Sequence, residues 1–346
     1  MSGGISGRRL ASDRPDGCNL MPGIFTVSLD LELYWGVRDK RSIQDYEANL
    51  RGERQAIQEM LVTFDAYGVH ATWATLGFLF FADVSELRTR LPHATPTYHN
   101  SELSPYPYIE THEWGVDDQY HFAPEVIDLI RSYPGQEIGT HTFSHYYCLE
   151  PGQTAEAFRA DMAAAIETAR ARGIEIQSLV FPRNQGNPQY LSLLQELGIR
   201  CYRGNEVAPF YTARNQEQQN ALVRGLRLLD AYVNVTGHNT YSFEECAQSR
   251  PFNIPSSRFL RPYSPSFAWM DDLRLHRIKR AMRHAAINHR LFHLWWHPHN
   301  FGAHVAENQR FLTRILEYYE QLRQRYGMQS LNMGEISNLL ERMHAG

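Results

Sequence analysis

A chain of 346 residues, 43% apolar and 21% charged, has the composition of a folded protein with room for one large α/β domain or two ordinary ones. A formal net charge of -4 excludes the basic stripe of a nucleic-acid binder and the basic face of a membrane-surface helix. The first twenty residues carry no apolar run, so no signal peptide is expected, and no stretch approaches the ~20 apolar residues of a membrane helix. The cysteines, Cys18, Cys148, Cys201 and Cys246, show no CxxC spacing, which argues against a zinc ribbon or redox dithiol. Together these features predict a reduced, cytoplasmic protein.

Residues 1–21 read as a flexible leader. The first strand is expected at Ile24–Leu33, where Val27, Leu29, Leu31 and Leu33 alternate with Thr26, Ser28, Asp30 and Glu32. A helix over Tyr46–Tyr67 follows and is stopped by Gly68, and a second strand runs over His70–Leu76. This β-α-β order favours a parallel sheet with right-handed crossovers. Further helices are predicted at Phe122–Tyr133, from a Thr154 cap to about Arg172, at Pro188–Leu197, at Glu307–Tyr326 and at Met333–Met343. Strands are predicted at Glu137–Thr140, Ser178–Phe181, Ile199–Tyr202 and Phe292–Trp296. With no internal repeat or linker, residues 22–343 are expected to form one domain. Two irregular stretches interrupt it, an insertion at about 91–120 and a mixed segment at about 210–267; such stretches are often functional lids.

Asp30 and Glu32 are two apart on a strand and leave the same face, an arrangement that a cation would stabilise, although wet strand faces also carry such pairs. His141 and His145, four apart, would share one face of a helical turn at the C-terminal end of a strand, where parallel α/β folds build their sites. Two His and one carboxylate suit a zinc-like catalytic site with open positions, and also non-haem iron. Arg183 follows the strand Ser178–Phe181 and can hold a nearby carboxylate ionised. His297 ends the strand Phe292–Trp296 and shares a face with His293 and Trp295. Imidazole there suits a general acid, and Trp295 or Trp296 can stack on a sugar ring or simply fill the core.

The order of these motifs resembles the polysaccharide deacetylase family, carbohydrate esterase family 4. The resemblance spans about residues 24–340 and implies an α/β fold, a distorted (β/α)7-type barrel of parallel strands with outer helices. The acidic pair of the family's first motif maps onto Asp30 and Glu32, although the family usually has two adjacent Asp. The H-S/T-x-x-H motif is met by His141-Thr142-Phe143-Ser144-His145. The Arg motif is permuted here as Phe181-Pro182-Arg183, the fourth motif has no counterpart, and the fifth, a Leu-x-His after the last core strand, is mapped onto Leu294–His297. The resemblance implies a divalent metal, zinc by preference, held by Glu32, His141 and His145. It implies Asp30 as catalytic base oriented by Arg183, and His297 as the acid that protonates a leaving amine. The implied reaction is removal of an N-acyl group, acetyl or formyl, from an amino sugar, in surface polysaccharide or lipopolysaccharide biosynthesis. The sugar can be free, nucleotide-linked, lipid-linked or polymeric. His112 and Trp114, in the 91–120 insertion, are expected beside Trp295 as substrate-binding residues. Competing readings are a non-catalytic sugar-binding relative, a hydrolase of a non-sugar amide such as a cyclic ureide, and a non-haem iron oxygenase, which the strand-helix alternation disfavours.

Overall fold

The computed structural model describes residues 21–207, 211–212 and 221–345. The expected leader, apart from Met21, and Cys18 lie outside them. Among the described residues nine strands are present: β1 Ile24–Leu31, β2 Ala71–Thr75, β3 Gln136–Thr140, β4 Ser178–Val180, β5 Cys201–Arg203, β6 Phe252–Asn253, β7 Arg258–Phe259, β8 Leu291–Trp296 and β9 Gln329–Ser330. They pair in the order β6-β5-β4-β3-β2-β1-β8-β7, every pairing is parallel, and β9 joins the start of β1.

The expected strands are present to within one or two residues, and the missing piece is the one that closes the ring. β6 and β7 belong to a single bent stretch. Its first half bonds to the β5 side, through Ile254 N–H to Tyr202 and Ser256 N–H to Gly204. Its second half bonds to β8, through Ser257 N–H to His293 and Leu260 N–H to Trp295. Counting that stretch once gives seven strand positions around a distorted barrel, in line with the sequence reading. The stretch falls in the segment read as irregular because neither half is long enough to show a period.

All eight residues of β1 are buried. Val27, Leu29 and Leu31 pack outward into the core shared with Ile57, Leu61 and Phe64 of helix Ile43–Tyr67. Ser42 caps that helix by accepting from Asp45 N–H, and Gly68 ends it in the left-handed conformation at φ 62. The polar residues of β1 turn into the barrel. Ser28 Oγ lies 2.8 Å from His293 Nε2 of β8 and 2.9 Å from Arg203 Nη1 of β5, so three strands meet across the interior. The helix Met333–Ala345 plugs the opposite, N-terminal end of the barrel: Met333 N–H donates to Thr72 Oγ1 and Gly334 N–H to Glu137. Helices Ala221–Tyr232 and Asp271–Ile287, unforeseen in the sequence, cover the outside next to β7 and β8. The second is rich in Arg and His, and Arg274 and Arg277 on its buried face obscure its apolar period.

The 91–120 stretch holds short 3₁₀ turns and a helix Tyr106–Thr111. Among the described residues Cys148, Cys201 and Cys246 are free thiols, all buried, and no helix is long and apolar enough to cross a membrane.

Candidate metal centre

The site lies at the C-terminal ends of the strands. Asp30 is the penultimate residue of β1, and Glu32 follows the strand, where the chain turns into a 3₁₀ turn at Leu33–Gly36. That turn brings Gly36 back against the Glu32 side chain: a Cβ on Gly36 would sit 1.9 Å from Oε1. Only a residue without Cβ leaves the carboxylate in place.

Glu32 Oε2 stands 3.2 Å from His141 Nε2 and 3.0 Å from His145 Nε2, with all three side chains buried. The expected helical turn for the two histidines is absent. The segment after β3 is a loop in which Thr142 (φ 66) and His145 (φ 62) adopt left-handed backbone, and that winding brings His145 round to His141. Its shape is set from outside: Asp161, on helix Ala155–Ala171, accepts from Phe143 N–H at 2.7 Å, from Ser144 N–H at 3.2 Å and from the Ser144 hydroxyl. Burial pushes the Asp161 carboxyl up to about 6, less far than it would without those donors.

These residues fit a divalent cation. His141 Nδ1 lies 2.9 Å from the Val180 carbonyl, which can only accept, so Nδ1 carries the proton and Nε2 presents a lone pair. That lone pair faces the Glu32 carboxylate with no hydrogen-bond partner, which is unfavourable unless a cation lies between them. The ligand atoms of Glu32, His141 and His145 all fall within 4.8 Å of one another. His145 Nδ1 is 3.0 Å from the Tyr147 hydroxyl, and burial lowers the His145 pKa to about 4, favouring the neutral ligand form.

Asp30 is held differently. Arg203 grips it bidentately at 2.6 and 2.8 Å, and also reaches Asn184 Oδ1. Burial would raise the Asp30 carboxyl, yet Arg203, with help from His141 and His297, leaves it below its usual value. Burial acts the same way on Glu32, and the facing imidazoles, His297 first and then His145, hold it well below the carboxylate range. His297 Nε2 lies 3.7 Å from Asp30 and 3.6 Å from Glu32, and His299 Nδ1 lies 3.9 Å from Glu32.

The structure corrects two expectations about this site. Arg183 does not orient Asp30. It sits in a left-handed turn after β4 (φ 53), pairs with Asp39 and lies 4.3 Å over the Tyr147 ring. The guanidinium on Asp30 comes from the next strand, where Arg203 ends β5 on the inward side; an Arg closing a short strand was the one signal for it. His112 and Trp114 do not line the cleft. They sit in an aromatic cluster, with His112 stacked on Tyr108 at 4.6 Å and Trp114 lying 6.3 Å from Trp35. That cluster and the Arg38 bonds to the Glu102 and Leu103 carbonyls brace the turn after β1, so the insertion supports the cleft wall from behind. Trp295 does line the cleft, between Arg203 at 4.1 Å and Phe259 at 4.7 Å. His299 and Asp161 carried no sequence signal, since a lone His and a helical Asp are commonplace.

No family model matches this sequence, and no curated protein matches it either. Solved structures do. A candidate polysaccharide deacetylase from Mycobacterium smegmatis superposes with a TM-score of 0.57 at 12% identity, over 97% of this chain and 96% of its own. A candidate polysaccharide deacetylase from Pseudomonas aeruginosa PAO1 gives 0.52 at 11% identity, over 93% and 91%. The Puue allantoinase gives 0.50 at 10% identity, over 91% and 88%. At such identities the likeness speaks for architecture alone: this chain is built on the polysaccharide deacetylase fold, as a divergent version of it.

Proposed function

We propose that this protein is a metal-dependent hydrolase that removes an N-acyl group from an amino sugar. The observation supporting it is the division of labour between two buried acids. Glu32 faces two imidazoles as a ligand set, while Asp30 is kept ionised by Arg203 within reach of the same space. A divalent cation held by Glu32, His141 and His145, with zinc the natural occupant of such a set, supplies Lewis-acid activation of water and of an acyl carbonyl. Asp30 accepts the proton of the attacking water, and its pairing with Arg203 keeps it unprotonated at neutral pH. His297, opening onto the same cleft, donates a proton to the leaving amine, and Trp295 forms the wall on which a sugar ring packs.

The test is metal analysis of the purified chain, followed by a screen of N-acetyl and N-formyl amino sugars for released acetate or formate. One equivalent of divalent metal and release from at least one sugar are expected. Full metal occupancy with no release from any N-acyl sugar would refute the reading.

A further inference from the structure

A second cavity of about 330 Å³ adjoins the metal cleft, and the two share Arg183, Asn184, Trp295 and His297 as walls. Its far side is basic. Arg227, Arg258 and Arg261 all line it, against the aromatic faces of Phe259 and Trp295.

Among the described residues, two of these guanidinium groups, Arg258 and Arg261, are not fully satisfied. Arg258 is 3% exposed, and Asp230 accepts from its Nη1, but its Nη2 is buried with no hydrogen-bond partner. Asp230 is also 3.6 Å from Arg277 and accepts from the backbone N–H groups of Val235 and Thr236, so its charge is already divided. Arg261 is half-buried, and among the described residues no carboxylate or carbonyl lies within bonding reach of its guanidinium. Burial, with Arg227 and Arg258 alongside, lowers its pKa. Among the described residues, Glu206 is the one carboxylate on the cavity wall, and burial pushes its pKa up, toward the neutral form. A guanidinium nitrogen buried without an acceptor is costly, and an oxyanion relieves that cost, since the guanidinium fork matches phosphate geometry.

We propose that this cavity binds a phosphate carried by the amino sugar, while the N-acyl group lies at Glu32, His141 and His145. The substrate class is thus a sugar phosphate ester, and the proposal rests on the deacylase reading of the cleft.

The test compares N-acetylglucosamine with its 1-phosphate, its uridine diphosphate ester and a polyprenyl phosphate ester in detergent. It also follows the melting temperature in inorganic phosphate alone. At least a tenfold higher kcat/KM on a phosphorylated sugar is expected, with preference for the nucleotide or the prenyl ester naming the carrier. R261Q should collapse that ratio and abolish the stabilisation by phosphate, and R261K should restore part of both. If no N-acyl sugar is hydrolysed yet phosphate stabilises the wild type and not R261Q, the deacylase reading fails and the anion site stands. If neutral and phosphorylated sugars react alike and phosphate leaves the melting temperature unmoved, the anion site is overturned and the deacylase reading survives. If R261Q does not fold, the wild-type ratio and phosphate response decide by themselves.

Discussion

Replacing Arg203 with Met keeps the volume of the buried side chain and removes its charge from Asp30. Both groups are essentially inaccessible, and Arg203 makes two of its contacts at 2.6 and 2.8 Å, so little solvent can substitute for it. Breaking such a buried pair costs about 3–5 kcal/mol. The penalty has a ceiling, because Asp30 can take up a proton. Protonating a carboxyl of ordinary pKa ~3.9 costs ~4 kcal/mol at pH 7 but only ~1.5 kcal/mol at pH 5. The sign follows from the two states. In the wild type the Asp30 pKa is lowered, so its stabilisation is present above the unfolded value and is lost as pH falls through the folded one. In R203M burial is opposed only by the weaker fields of His141 and His297, the pKa moves up past its unfolded value, and stability is lost as pH rises between the two. The gap between wild type and R203M in urea unfolding should therefore be ~3–5 kcal/mol at pH 7 and smaller by roughly 2 kcal/mol at pH 5. Turnover at pH 7 should fall by ~10²–10⁴, the loss typical of a general base. A double-mutant cycle with D30N isolates the pair, since the amide no longer needs the cation. A pH-independent R203M penalty, or additivity of R203M with D30N to within ~0.5 kcal/mol, would refute the assignment of Arg203 to Asp30.

Three further outcomes are expected. H141A, H145A and E32Q should each lose bound metal by elemental analysis while D30N and H297A retain it, and retention by any of the first three removes that residue from the ligand set. Gly36→Ala should weaken metal binding tenfold or more with little change in circular dichroism, because its Cβ would displace the Glu32 carboxylate; unchanged affinity would show that the turn can yield. His121, whose pKa burial lowers to about 3, is folded neutral, so stability is full above the unfolded value and declines as pH falls below it. Between pH 7 and 5 the wild type should lose ~2 kcal/mol more than H121Q in urea unfolding, and equal losses would mean that the imidazole is already charged in the folded state.

Much of this protein is legible in its sequence. The β-α-β rhythm, the Gly68 stop and the Thr154 cap are local effects, set by backbone freedom and side-chain hydrogen bonds within a few residues, and they place six of the strands. The placement of Asp30, Glu32, His141, His145 and His297 at strand ends follows from the same local reading, which is why those residues meet in one cleft. What sequence could not say is which way the polar stripe of β1 faces. Thr26, Ser28 and Asp30 would show the same alternation on a wet sheet face, and only closure of the barrel makes that stripe an interior. The partner of Asp30 was undecidable for the same reason: Arg183 and Arg203 both follow strands, and the choice depends on which strand's inward register reaches across the lumen to β1. The His pair teaches the complementary lesson, since its spacing suggested a helix while the convergence comes from left-handed residues fixed by Asp161, sixteen positions beyond His145. Sequence determines what depends on neighbours along the chain, and the tertiary structure decides what depends on charge partners buried across it, because low-dielectric pairing acts through space and leaves no period to read.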